Sequence, residues 1–104
     1  MASQTALPEV LQSLQLKKAL LVLRALNHPV RQQILRLLHQ HGNLPVTTIY
    51  IKLRRGQSVA SQQLGILRRA GFVLTERKGK QVFYQVNYDR LGEVQNLSKQ
   101  LSGE

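Results

Sequence analysis

The strongest constraint on this chain is a change of hydrophobic period at Gly71. Before it, Ala60, Leu64, Leu67 and Gly71 recur at helical spacing. After it, Val73 and Thr75 alternate with Leu74 and Glu76, and Val82, Tyr84 and Val86 resume the alternation past Arg77, Lys78, Gly79, Lys80 and Gln81. A helix with Ser58 as its N-cap and Gly71 at its C-cap is therefore predicted to run directly into a two-stranded hairpin. Gly79 is placed at the hairpin tip, where a tight turn needs positive φ.

The two faces of that helix differ in chemistry. Opposite the apolar stripe stand Ser58, Ser61, Gln62, Gly65 and Arg69, with no acidic residue among them. A surface that serves solubility alone usually mixes Glu with Lys, whereas one facing phosphates excludes carboxylates. A glutamine amide can pair bidentately with an adenine edge in a major groove. The hairpin tip carries Arg77, Lys78 and Lys80, which place charge where an adjacent DNA backbone or minor groove would lie. Lysines on a hairpin also protect a sheet edge, and a short polar face is also what a plain solvated helix presents. The direct succession of helix and basic hairpin favours DNA. On this reading Gln57, Ser58, Ser61 and Gln62 make base-edge or adjacent phosphate contacts, with Gln62 as the base reader. Arg54, Arg55, Arg69, Arg77, Lys78 and Lys80 hold phosphates or the minor groove.

The charge balance points the same way. A net charge of +10 implies a polyanionic partner, nucleic acid first and an anionic membrane surface second. Between Glu9 and Glu76 there is no acidic residue while Lys and Arg occur ten times, so the basicity belongs to the folded body. No segment approaches the roughly eighteen unbroken apolar residues of a membrane span, and no export signal is recognisable, so a cytoplasmic protein is expected. With no cysteine, disulfides, thiol redox sensing and thiolate metal sites are excluded.

Residues 1–7 read as a flexible leader and residues 8–104 as a single domain. Pro8 opens a helix running to about Leu26, and Asn27, His28 and Pro29 break it. A second helix starts at Pro29, buries Val30, Ile34, Leu35, Leu37 and Leu38, and stops near Gly42. A short loop from Gly42 to Pro45 leads to a third helix, about Val46 to Arg54, with Ile49 and Leu53 on one face. The turn through Arg55, Gly56 and Gln57 joins it to the basic-faced helix as in a helix-turn-helix. The last helix starts at Asp89, read as its N-cap. The fold expected is mainly α with a small β-hairpin: about five helices and a two-stranded wing. Leu11, Leu14 and Leu21 on the first helix and Leu91, Val94, Leu97 and Leu101 on the last exceed what one small core covers. A second copy of the chain is the economical cover, giving a homodimer with two reading helices about 34 Å apart. The alternative is that both helices simply cap their own core.

The histidines do not suggest a metal site. His39 and His41 are two apart at a helix end, a spacing that faces them apart, and His28 sits in a capping turn. No nucleophile, acid/base pair or glycine-rich phosphate loop is recognisable, so neither an enzyme nor a cofactor is expected.

The runs ALNHPVRQQILRLL, SVASQQLGILRRAGFV and ERKGKQVFYQV resemble, in order and spacing, the ArsR/SmtB family of dimeric winged-helix transcriptional repressors over about residues 19–91. The resemblance implies a repressor that dimerises through its first and last helices, binds an inverted-repeat operator and is often released by an inducer. It also exposes departures. Where metal-sensing relatives carry Cys-Val-Cys, this chain has Pro45, Val46 and Thr47. On the last helix Asp89 is present, but Leu91 occupies the next ligand position and no His follows. Metal sensing through the usual sites is therefore not expected, and the effector stays open. Gln63 stands where relatives often carry His in the reading helix. Two other readings remain: a nucleoid-type or RNA-binding winged helix without sequence preference, and a winged helix whose basic face docks an acidic protein.

Overall fold

The structure, a computed structural model, describes residues 17–102. The expected leader, Pro8, Leu11 and Leu14 lie outside the described residues. Residues 17–26 are helical (α1), and the Asn27–His28 break leads to α2, Pro29–His41. His28 caps α2 by accepting the Val30 N–H on Nδ1 at 3.1 Å. Proline next to that cap has no N–H to leave unpaired.

The segment Gly42–Pro45, expected as loop, contains a strand, β1 (Asn43–Pro45). It is followed by α3 (Val46–Leu53), α4 (Gln57–Arg69), β2 (Val73–Lys78), β3 (Gln81–Val86) and α5 (Tyr88–Ser102). The sheet is antiparallel with order β1-β3-β2, so the hairpin gains a third strand at its base. Leu44 faces Tyr84 across one ladder and Thr75 faces Tyr84 across the other. A three-residue strand shows no period of its own, and only pairing with β3, some forty residues away in sequence, creates it.

The core lies between α2, α3, α4 and the base of the sheet. Phe72, Ile34, Leu38, Ile49, Leu64 and Leu67 are its largest fully buried side chains. Of the predicted stripes, Val30, Ile34 and Leu38 on α2, Ile49 and Leu53 on α3, and Ala60, Leu64 and Leu67 on α4 are buried, while Leu35 and Leu37 are only half-buried against them. Along the hairpin, Val73 and Val86 pair at the buried base while Lys78 and Gln81 pair at the exposed tip. Gly79 and Lys80 form the two-residue turn, with φ +63° at Gly79 alone, the pattern of a type II′ hairpin.

The end of α4 is a Schellman motif. Phe72 N–H donates to the Leu67 carbonyl at 2.9 Å and Gly71 N–H to that of Arg68 at 3.0 Å, with Gly71 left-handed at φ +84°. Its apolar partners, Leu67 and Phe72, are both fully buried. The period change at Gly71 is thus one device that ends a helix, starts a strand and seats the largest core side chain.

Three cap assignments are corrected. The C-cap of α4 is Ala70, and Gly71 is the left-handed residue just past it. α4 starts two residues earlier than expected, with Gly56 as N-cap and no capping side chain, which leaves Ser58 inside the first turn. The left-handed Arg54 (φ 55°, ψ 28°) ends α3 and turns the chain so that the Gly56 carbonyl meets Ala60 N–H at 3.1 Å. At α5 the cap is Asn87, whose Oδ1 accepts Arg90 N–H at 3.3 Å, and Asp89 lies within the first turn. Among the described residues no helix is long and apolar enough to cross a membrane.

Phe72→Ala should lower unfolding free energy by about 3–5 kcal/mol, because it removes both the filled core volume and the apolar half of the Schellman motif. Urea denaturation followed by circular dichroism measures this.

Candidate nucleic-acid interface

The helix α4 serves two surfaces at once. Ala60, Leu64 and Leu67 face inward, and the exposed side chains of Ser61, Gln62 and Arg69 follow that of Ser58 by three, four and eleven residues along the opposite side. Gln57, the first helical residue, is exposed beside them. No side chain caps the start of α4, so its first-turn N–H groups are open to an anion. Val59, in that same turn, is 42 % exposed and was given no role from the sequence. A branched methyl side chain at a helix start can meet a thymine methyl in a major groove.

Gly65 stands near the middle of the outward face. The Arg69 guanidinium folds back over it, with Nη1 3.3 Å from where a Cβ would stand. A glycine inside a helix costs about 0.5–1 kcal/mol relative to alanine. Here it leaves a shallow place on the face, filled by an arginine that is free to swing away.

The turn and the wing supply the cations. Arg54, Arg55, Arg77, Lys78 and Lys80 are all exposed. Arg77 lies opposite Val82 on β3, and Lys78 Nζ sits 5.2 Å from the Phe83 ring centroid, a cation–π contact that restrains this one ammonium. All ten residues expected to contact DNA are therefore on the surface, the helix and turn residues grouped around α4 and the wing residues at the hairpin tip.

Gln63 does not belong to that surface. It is 8 % exposed, on the inner side of α4, and its Oε1 accepts from Arg31 Nη1 at 2.7 Å. Arg31, itself 9 % exposed, also donates through Nε to the Ala25 carbonyl and through Nη2 to that of Arg24 at 3.4 Å. The sequence did carry a signal for this pair: Arg31 falls on the buried stripe with Ile34 and Leu38, and Gln63 falls between Ala60 and Leu67 on the other. A polar residue on an apolar stripe needs a buried partner.

The far end of α4 is held by Asn87. Its N–H donates to the Phe72 carbonyl at 2.9 Å and its Nδ2 to the Gly71 carbonyl at 2.9 Å, while Arg90 Nε donates to the Ala70 carbonyl at 3.2 Å. The Arg90 guanidinium lies 6.0 Å from the Phe72 ring centroid and pairs with Glu93 at 2.9 Å. The start of α5 therefore closes the end of the helix that carries the polar face.

The expected dimer residues divide. Leu21 is 63 % exposed on α1, with Leu20 exposed beside it. Leu91 is half-buried against the core, and Val94, 4 % exposed, is taken up by this chain's own core and offers nothing to a second copy. The side chains of Leu97 and Leu101 lie outside the described residues. The histidines have local roles: His28 caps α2, and His39 Nδ1 is 2.8 Å from Tyr88 Oη on α5. Among the described residues no three His, Cys, Asp or Glu side chains gather into a metal-binding group.

No protein-family model matches the chain. Among curated proteins it is 34 % identical over 85 residues to the HTH-type transcriptional regulator MJ1325 of Methanocaldococcus jannaschii, covering 82 % of this chain and 96 % of that protein. It is 41 % identical over 74 residues to a biofilm growth-associated repressor of Agrobacterium fabrum, covering 71 % of this chain but 62 % of that protein. Among solved structures, an ArsR-like transcriptional regulator from Rhodococcus superposes with a TM-score of 0.75 at 17 % identity, over 86 % of this chain and 83 % of that one, which establishes the shared fold.

Asn87→Ala should cost about 1 kcal/mol from the lost cap. Amide exchange should show the loosening concentrated at the Ala70–Phe72 corner and the first turn of α5.

Proposed function

The chain belongs to the ArsR/SmtB family of winged helix-turn-helix, DNA-binding transcriptional regulators, and from that premise we propose that it represses transcription by binding an inverted-repeat operator as a homodimer. The observation that carries this reading is the outward face of α4, where Ser58, Ser61 and Gln62 are exposed, acid-free and backed by a fully buried opposite side. Gln62 reads a base edge, Gln57, Ser58 and Ser61 contact neighbouring bases or phosphates, and Val59 meets a thymine methyl. Arg54, Arg55 and Arg69 hold phosphates beside the groove, and Arg77, Lys78 and Lys80 bring the wing onto the adjoining backbone or minor groove.

One feature supports the dimer. Leu20 and Leu21 are exposed on α1. Exposed leucines on an end helix gain stability when that helix pairs with a symmetry mate. The curated relatives are regulators rather than enzymes, and the exposed face of α4 offers hydrogen-bonding side chains without a reacting centre.

Selection of randomised duplexes at physiological salt should enrich an inverted repeat with half-site centres about one helical turn apart. An unenriched pool would leave only non-specific binding. Gln62→Ala should relax base preference at one position by about 1–3 kcal/mol, whereas Lys80→Ala should weaken all sequences alike and reduce the salt slope by about one. Leu21→Glu should shift the protein toward monomer in sedimentation velocity and weaken full-site binding more than half-site binding.

A further inference from the structure

The buried contact between α2 and α4 adds something the exposed residues cannot supply. Ala60, Leu64 and Leu67 seat α4 on the core, but apolar contact is non-directional and leaves the roll of a helix about its own axis weakly defined. A charge-assisted hydrogen bond is directional. The only buried polar side chain described on α4 is Gln63, and its partner Arg31 is simultaneously held by the carbonyls of Arg24 and Ala25, where α1 ends. Gln63 adjoins Gln62 in sequence, so the inner anchor and the outer reader are a fixed angle apart on one helical turn. Side-chain ends stand about 5–6 Å from a helix axis, so a roll of about 20° displaces them by about 2 Å, enough to break a bidentate contact with a base.

We propose that Arg31 and Gln63 are positioning residues for sequence readout: the guanidinium, fixed by the last carbonyls of α1, sets the roll of α4 through Gln63 and so aims Gln62 at its base. The pair touches no DNA. Its effect falls mainly on discrimination between sequences, because of the six phosphate-holding cations only Arg69 is carried on α4, and those of the turn and wing keep their places through a small roll of that helix. The proposal rests on α4 being the reading helix. It also makes the end of α1, the helix expected to pair with a second copy, a mechanical reference for the reading face.

The test compares affinity for the selected duplex with that for a scrambled duplex of equal length, at a temperature where circular dichroism shows each variant folded. Gln63→Leu removes the acceptor and should weaken binding to the selected duplex by about tenfold while leaving the scrambled duplex unchanged. Gln63→Glu keeps an acceptor for Arg31 and should restore the ratio. Arg31→Lys, which retains a cation at the end of α1 but cannot span both sets of partners, should behave as Gln63→Leu does and stands in for it if that variant does not fold. A parallel fall for both duplexes, the signature of a merely structural role, overturns the proposal, as does an undiminished ratio in Gln63→Leu. Wild-type protein without preference for the selected duplex would sink this proposal and the repressor reading together; preference retained by both wild type and Gln63→Leu would sink the positioning role alone.

Discussion

A guanidinium buried without an acidic partner is the interaction on which the arrangement of α1, α2 and α4 depends. Arg31 lies among Val30, Ile34 and Leu38, where an unsolvated charge would be prohibitive. Its stabilisation comes from carbonyls rather than a carboxylate. The last turn of a helix presents C=O groups and the negative end of the macrodipole, and Arg31 takes two of them from α1: that of Ala25 and that of Arg24, which also accepts Asn27 N–H at 3.0 Å. Gln63 completes the set, and among the described residues no buried side-chain nitrogen or oxygen lacks a partner. Such a site tolerates little change, since removing a partner strands a buried donor. Its geometry also dictates where α1 must stop and which residue of α4 must face inward.

The rest of the chain can be understood as a small core whose walls also carry the proposed binding surface. α4 spends four of its residues on burial, Ala60, Gln63, Leu64 and Leu67, and leaves its opposite side to small polar groups. That division explains why the helix tolerates Gly65 in its interior: the face is shaped for close approach rather than for helix propensity. The wing works by the same division of labour along its length, with Val73 and Val86 anchoring the base and the cations at the tip. Asn87 joins the two parts, since it closes the end of α4, meets the start of β2 and caps α5. In the proposed complex, phosphate contacts from the turn and wing would provide affinity that falls with salt, and the polar face of α4 would provide discrimination.

Elements that repeat a period were legible in the order of residues alone. The stripes of α2, α3 and α4, the stop at Gly71 and the hairpin around Gly79 were legible because hydrophobic spacing, glycine and proline act locally. The acid-free surface and its ten exposed candidates were legible because charge and side-chain type need no coordinates to interpret. Tertiary structure alone decided the rest. β1 exists only because β3 pairs with it, and the choice of Gly56 over Ser58 and of Asn87 over Asp89 as caps depends on where the chain arrives from. Val94 faces its own core because of how α5 packs, and Gln63 turned out to be an internal anchor because Arg31, thirty-two residues away, reaches it. A period specifies which side of an element is apolar; which polar group on that side finds a partner is settled only when separate elements meet, since a buried hydrogen bond needs both of its ends in place.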